Sequence, residues 1–324
     1  MEEAVRTPKR GALALTVALG AASVLPGIAQ AVPGGGPGSE AVFPPLRTAL
    51  VAHYDFEHPT PGDAATEVDL GRSGTTLELV NGGADMRVRD GAHPGSRRSL
   101  QTRQVSPTEA GNDDWKAGVF DADGVESLRA FSGATEATVS GWVKVTGDLP
   151  APNSTTPEEG DRYNAVGLAG VLSGDSDGHG VRALLELIQV DGELRLVALG
   201  RRVDGGESQT FAASQDWRSL LPRNEWVFLT ATFDFDDGTM ALYRNGRPLP
   251  GFYTRDDDPW DTEGAPEPDR TSDAAPRGIK IGGSFPQNNA ERNPCDCRFD
   301  GLMFFDRALS PAEVRMQYHW MNRR

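Results

Sequence analysis

Three tryptophans stand beside acids in segments without an apolar period: Trp115 after Asp114, Trp217 after Asp216, and Trp260 before Asp261. Indole offers a flat apolar face to the C–H side of a sugar ring, and a neighbouring carboxylate accepts from its hydroxyls, so each pair has the chemistry of a carbohydrate platform. A tryptophan in a loop more commonly anchors its own loop. Trp142 and Trp226 fall inside alternating strands and read as core.

Catalytic chemistry has thinner material. Glycoside hydrolysis needs two carboxyls beside one bond. Glu186 and Glu193 are the only acids within the central apolar strands, and the Asp191-Gly192 turn places them on opposite arms of a hairpin, so only a cross-strand pair remains open. Gly174-Asp-Ser-Asp-Gly178, followed by His179, matches the G-x-S-x-G elbow of serine hydrolases. The alternating strand and helix pattern that should surround an elbow is missing, and His319 is the one late histidine for a triad. His53, His58 and His93 show no metal-ligand spacing. Cys295 and Cys297, the only cysteines, are open to a local disulfide, to two free thiols or to a metal role; the disulfide requires a turn at Asp296, because alternate side chains of a straight strand stand too far apart.

The N-terminus reads as an address. Arg6, Lys9 and Arg10 precede an apolar run from Gly11 to Ile28, and Ala29-Gln30-Ala31 follows as a cleavage site, so residues 1–31 are expected to be a secretory signal peptide and the mature protein to be extracellular, with no membrane insertion after cleavage. Losing that segment removes three basic and two acidic side chains and moves the formal charge from -15 to -16. Such an acidic balance argues against nucleic acid as a partner. Residues 32–47 are Gly- and Pro-rich and are expected to form a disordered linker, and 48–320 a single domain.

Within that domain the period is two. From Asn224 to Leu249, Trp226, Phe228, Thr230 and Thr232 point one way and Val227, Leu229, Ala231 and Phe233 the other; Asp236-Asp-Gly238 turns the chain, and Asn245-Gly246 makes a second hairpin turn. Leu50–Phe56, Thr76–Val80, Gly118–Asp121 followed by Ser127–Ala130, Thr138–Val145, Gly170–Ser173, Val181–Val190, Glu193–Leu199, Ile279–Gly282 and Phe299–Phe305 supply the remaining strands. Leu184, Leu187 and Ile188 would also suit one helical face, but the Asp191-Gly192 turn decides for strand. Surface insertions are expected near 85–117, 150–163 and 256–277, the second holding a glycosylation sequon at Asn153. Ser310-Pro-Ala-Glu313 starts one short C-terminal helix with a capping box.

Leu50–Glu57, Ala137–Lys144, Asn224–Leu249, Ile279–Gly283 and Phe299–Ser310 together resemble the successive strands of a laminin-G-like (LamG) domain of the concanavalin A-like lectin/glucanase superfamily, of the secreted bacterial type. The resemblance implies an all-β jelly-roll sandwich of two antiparallel sheets. It also implies a structural Ca²⁺, for which Glu57, Asp69 in an Asp-x-x-Gly loop, and Asp300 are the matching carboxylates. The Glu-x-Asp-x-Glu triplet of the glucanase relatives is missing. The expected function is therefore a secreted, monomeric, non-catalytic module that binds carbohydrate or an extracellular protein, with an adhesion protein and a glucanase-type hydrolase as the alternatives.

Overall fold

The computed structural model describes residues 40–105, 114–147, 165–173, 181–202, 208–256, 276–283 and 295–323. Residues 1–39, with the expected signal peptide, Trp260, the Gly174–Gly178 motif with His179, the Asn153 sequon, and nearly all of the second and third expected insertions lie outside them. In chain order the strands are β1 (Leu50–Tyr54), β2 (Thr66–Glu67), β3 (Leu77–Val80), β4 (Arg87–Val88), β5 (Ser99–Gln101), β6 (Lys116–Phe120) and β7 (Glu136–Val145). Then follow β8 (Ala165–Leu172), β9 (Val181–Val190), β10 (Glu193–Arg201), β11 (Ser208–Ala213), the short helix α1 (Trp217–Leu220), β12 (Val227–Asp234) and β13 (Thr239–Arg244). The chain closes with β14 (Arg247–Pro248), β15 (Gly251–Tyr253), β16 (Gly278–Ile281), β17 (Cys297–Phe305) and the helix α2 (Pro311–Met321).

These strands form two sheets with antiparallel ladders throughout. The first runs β14-β13-β12-β7-β17-β5-β4, with β1 also paired to β17; the second runs β15-β11-β10-β9-β8-β16-β6-β3-β2. The alternation seen in the sequence decides what lies between them. Val227, Leu229, Ala231 and Phe233 of β12 face Leu185, Leu187, Leu196 and Ile279 of the second sheet in one continuous core. Burying each such side chain stabilises the fold by roughly 1.5–3 kcal/mol. The opposite face of the first sheet is also covered: Trp142, Phe228, Tyr243, Met303 and Phe305 pack under Val314 and Met321 of α2.

The helix starts as its sequence dictates. Ser310 accepts from the Glu313 N–H, and the Glu313 carboxylate reaches back to the Ser310 N–H, a complete capping box with Pro311 at the first helical position. The hairpin turns are likewise as expected, with Asp191 and Gly192 at φ 52° and 79°, and Asn245 and Gly246 at 51° and 75°.

Three expectations are corrected. Residues 40–47 are not a loose linker. Val42 and Leu46 are fully buried, Pro44–Leu46 forms a 3-10 turn, and the segment is tied to α2 by Phe43 N–H to Gln317 Oε1 (2.7 Å) and Trp320 Nε1–H to the Glu40 carbonyl (2.8 Å). A few apolar residues among prolines suffice to dock, which composition alone hides. The stretch 85–117 is not wholly an insertion either, because it contributes β4, β5 and the start of β6; strands of two or three residues are too short to display a period. Ser127–Ala130 belongs to a 3-10 helix, Glu126–Phe131, in which Leu128 and Phe131 meet the core three residues apart.

Candidate functional site

Asp300 sits where β17 changes partners. Its strand pairs with β5 at Arg298 and Phe299 and with β1 from Leu302 to Phe305, and the register slips between Asp300 and Met303. Gly301 takes φ 53° at that bulge. The Asp300 carboxylate is fully buried; Oδ2 accepts from the Ala92 N–H (2.7 Å) and Oδ1 accepts no hydrogen bond. Burial pushes its pKa up to about 7, with backbone donation from Ala92 pulling the other way and the charges of Asp55 and Glu57 adding to the rise.

Glu57 clasps the same loop, its Oε1 accepting from the Arg97 and Arg98 N–H groups. Asp69 does not join them. Its two oxygens accept from the N–H groups of His53, Gly71 and Gly74 and from the Ser73 hydroxyl, so it is spent on holding its own loop against β1. Asp300 thus keeps one orphaned buried oxygen open to a hard cation, with the charge of Glu57 near it although Glu57 Oε2 also lies 3.5 Å from the exposed Arg97 guanidinium, whereas both oxygens of Asp69 are spent. A second cluster, Asp55, His58 and Glu67, brings ligand atoms within 4.8 Å of one another, yet the buried Arg87 guanidinium already pairs with Glu67 at 2.6 Å and supplies the positive charge.

Of the tryptophans proposed as sugar platforms, Trp217 is buried (4% exposed) as the first residue of α1, with Asp216 as its N-cap accepting from the Ser219 N–H. Trp115 is half-buried, bridged to Arg103 by paired backbone hydrogen bonds, with the Arg103 guanidinium 4.5 Å over its ring. Both read as anchors in this setting, since no open ring face is left for a ligand on Trp217 and a cation already covers Trp115. Cys295 and Cys297 are joined across a bend at Asp296, with Cα atoms 5.1 Å apart. That bend is held by the Thr146 and Gly147 N–H groups donating to the Asp296 carbonyl.

The cross-strand carboxylates are each engaged. Glu186 points to the outer face of the second sheet and forms a buried ion pair with Lys280 of β16; Glycines 167 and 170 of the intervening β8 leave the lane through which the two meet. Glu193 pairs with Arg195 at 2.7 Å on the surface.

An open concavity lies elsewhere. A pocket of about 660 Å³ opens between the Asn245-Gly246 turn and α2, lined by Arg244, Arg247, Arg315, Tyr318 and His319. Gly246 makes it possible: a Cβ there would lie 3.0 Å from the Arg315 Cα and 3.2 Å from the Tyr318 Cβ, so only glycine lets the helix approach the turn. Tyr318 is fixed by ring contacts to Trp142 (5.8 Å) and Phe228 (5.9 Å). Arg244 donates to the Leu220 carbonyl and to Glu225, whereas the side chains of Arg247 and Arg315 are exposed and make no ion pair or hydrogen bond among the described residues. Among the described residues, no carboxylate lines the pocket. These residues carry no motif that marks them in the sequence. Arg315, Tyr318 and His319 do share one face of α2 at spacings of three and four, but nothing in the sequence says that this face meets the hairpin turn.

Comparison with known proteins agrees with the architecture. The model of a laminin-G-like family of the concanavalin A-like lectin/glucanases superfamily matches residues 121–315, more than half of the chain. No curated protein matched the sequence. Similar solved structures include the binding domain of Paraclostridial Mosquitocidal Protein 1, 18% identical with a TM-score of 0.50, where 84% of this chain covers 52% of that one. Trypanosoma rangeli sialidase, bound to a difluorinated nononic acid, is 12% identical with a TM-score of 0.50 over 84% of this chain and 32% of its own. At such identities the likeness is one of fold, and the chain spans about half or a third of the length of these structures.

Proposed function

Because the chain belongs to the laminin-G-like family of the concanavalin A-like lectin/glucanases superfamily, we propose that it serves as a secreted, non-catalytic module that binds carbohydrate. The fold alone does not choose among the functions it hosts. The observation that carries the reading is the pocket between the Asn245-Gly246 turn and α2: it has an aromatic ring held in place, several hydrogen-bond donors, and no carboxylate to act as acid or nucleophile. Adhesion to a flat protein surface finds less support. Among the described residues the exposed large hydrophobic side chains are Val105, Phe120 and Tyr253, which lie in a loop, on β6 and on the edge strand β15 and do not adjoin in the sheet.

Ca²⁺ enters the proposal as a structural ion held by Asp300 and Glu57, supplying charge neutralisation for a carboxylate that burial otherwise keeps protonated. Export by the N-terminal signal would place the protein where that ion is plentiful. Retention of the full chain on insoluble polysaccharides, with reducing ends assayed in the same tubes, tests the function. Retention without release of reducing ends is expected, and steady release of reducing ends would sink the non-catalytic reading.

A further inference from the structure

We propose that the pocket between the Asn245-Gly246 turn and α2 is a receptor for an acidic sugar unit, one carrying a carboxylate or a sulfate, with Arg247 and Arg315 as the groups that select it. This rests on the carbohydrate reading above and adds the charge class of the ligand.

Charge sets this pocket apart. The chain carries a formal net charge of -15, and many of its described arginines are already committed: Arg72 to Asp306, Arg87 to Glu67, Arg298 to Asp90, Arg307 to Glu313. Arg247 and Arg315 are not. Both are exposed, both line one pocket, and neither has a carboxylate partner there. In an acidic protein two uncommitted guanidiniums facing one concavity make a local positive field that attracts anions despite the molecule's overall negative charge.

Geometry narrows the class. A guanidinium presents a planar fork that fits a carboxylate or sulfate with two parallel hydrogen bonds, which an uncharged hydroxyl cannot match in strength. Arg247 comes from β14, whose ladder to β13 pairs it with Arg244, and Arg315 comes from the first turns of α2, so the two approach from different elements. Tyr318 follows Arg315 by three residues on α2, its ring contacts with Trp142 and Phe228 preventing it from turning away, and its face suits the apolar side of a pyranose. A pocket of about 660 Å³ has room for more than one ring, which suits a unit within a chain rather than a free anion.

The test is binding of the full chain to a glycan array built from matched neutral, carboxylated and sulfated oligosaccharides, repeated with Arg247→Gln, Arg315→Gln and the double variant. Because both side chains are exposed and unpaired, the variants should melt with the wild type. Acidic glycans should be retained, with each single change weakening binding about tenfold and neutral glycans unaffected. The carboxylated and sulfated arms tell which anion is taken. Equal retention of neutral and acidic glycans, indifferent to both substitutions, would overturn the acidic-unit assignment and leave carbohydrate binding standing. Retention of no glycan in any arm would overturn both.

Discussion

Asp300 concentrates the electrostatic tension of the fold in one side chain. A carboxyl buried at the β17 junction, with one oxygen lacking a partner, holds its proton up to about pH 7, whereas in the unfolded chain it would lose it near pH 4. The native state therefore binds the extra proton between those values, and its stability contribution is full below the lower one and lost as pH rises through the upper. In EDTA the melting temperature of the wild type should fall relative to Asp300→Asn between pH 5 and pH 8. Millimolar Ca²⁺ should then restore the wild type at pH 8 and leave the variant unmoved. A gap between the two proteins that is independent of pH and of Ca²⁺ would remove both the raised pKa and the ion. At this scale the sequence was a partial guide. Asp300 and Glu57 could be picked out by resemblance, but the commitment of Asp69 to four donors depends on how its loop folds back onto β1, which no local pattern records.

At the scale of elements, the hairpin turn and α2 act as one unit. The turn needs positive φ at Asn245 and Gly246, the helix needs its capping box, and Gly246 lets them touch. Gly246→Ala should cost about 1–2 kcal/mol for the left-handed backbone, and more because the added methyl meets the helix backbone. Gly62→Ala is the control: it has φ 88° and nothing within 4 Å of the added methyl, so it pays the backbone penalty alone. Thermal melts of the two should differ, with Gly246→Ala the lower, and only Gly246→Ala should weaken glycan retention. Long alternating strands and the Asp191-Gly192 and Asn245-Gly246 turns were legible because period and turn chemistry are local. The docked segment 40–47, the two-residue β4 and the helix α1 that buries Trp217 were not, since each is made by tertiary contact rather than by a pattern of its own.

For the whole molecule, the two faces of the sandwich divide the work. The outer face of the second sheet carries the buried Glu186–Lys280 ion pair. The outer face of the first sheet is sealed by α2 and residues 40–47, and the pocket lies at the margin of that seal. Architecture thus followed from the sequence, while the position of the site followed from which distant elements the architecture happened to join. The most direct measurement is a crystal structure of the full chain with the acidic oligosaccharide it retains most tightly. The charged group of that sugar is expected at Arg247 and Arg315 with a ring against Tyr318; a sugar lying instead across Glu186 and Lys280 on the second sheet would contradict the assignment.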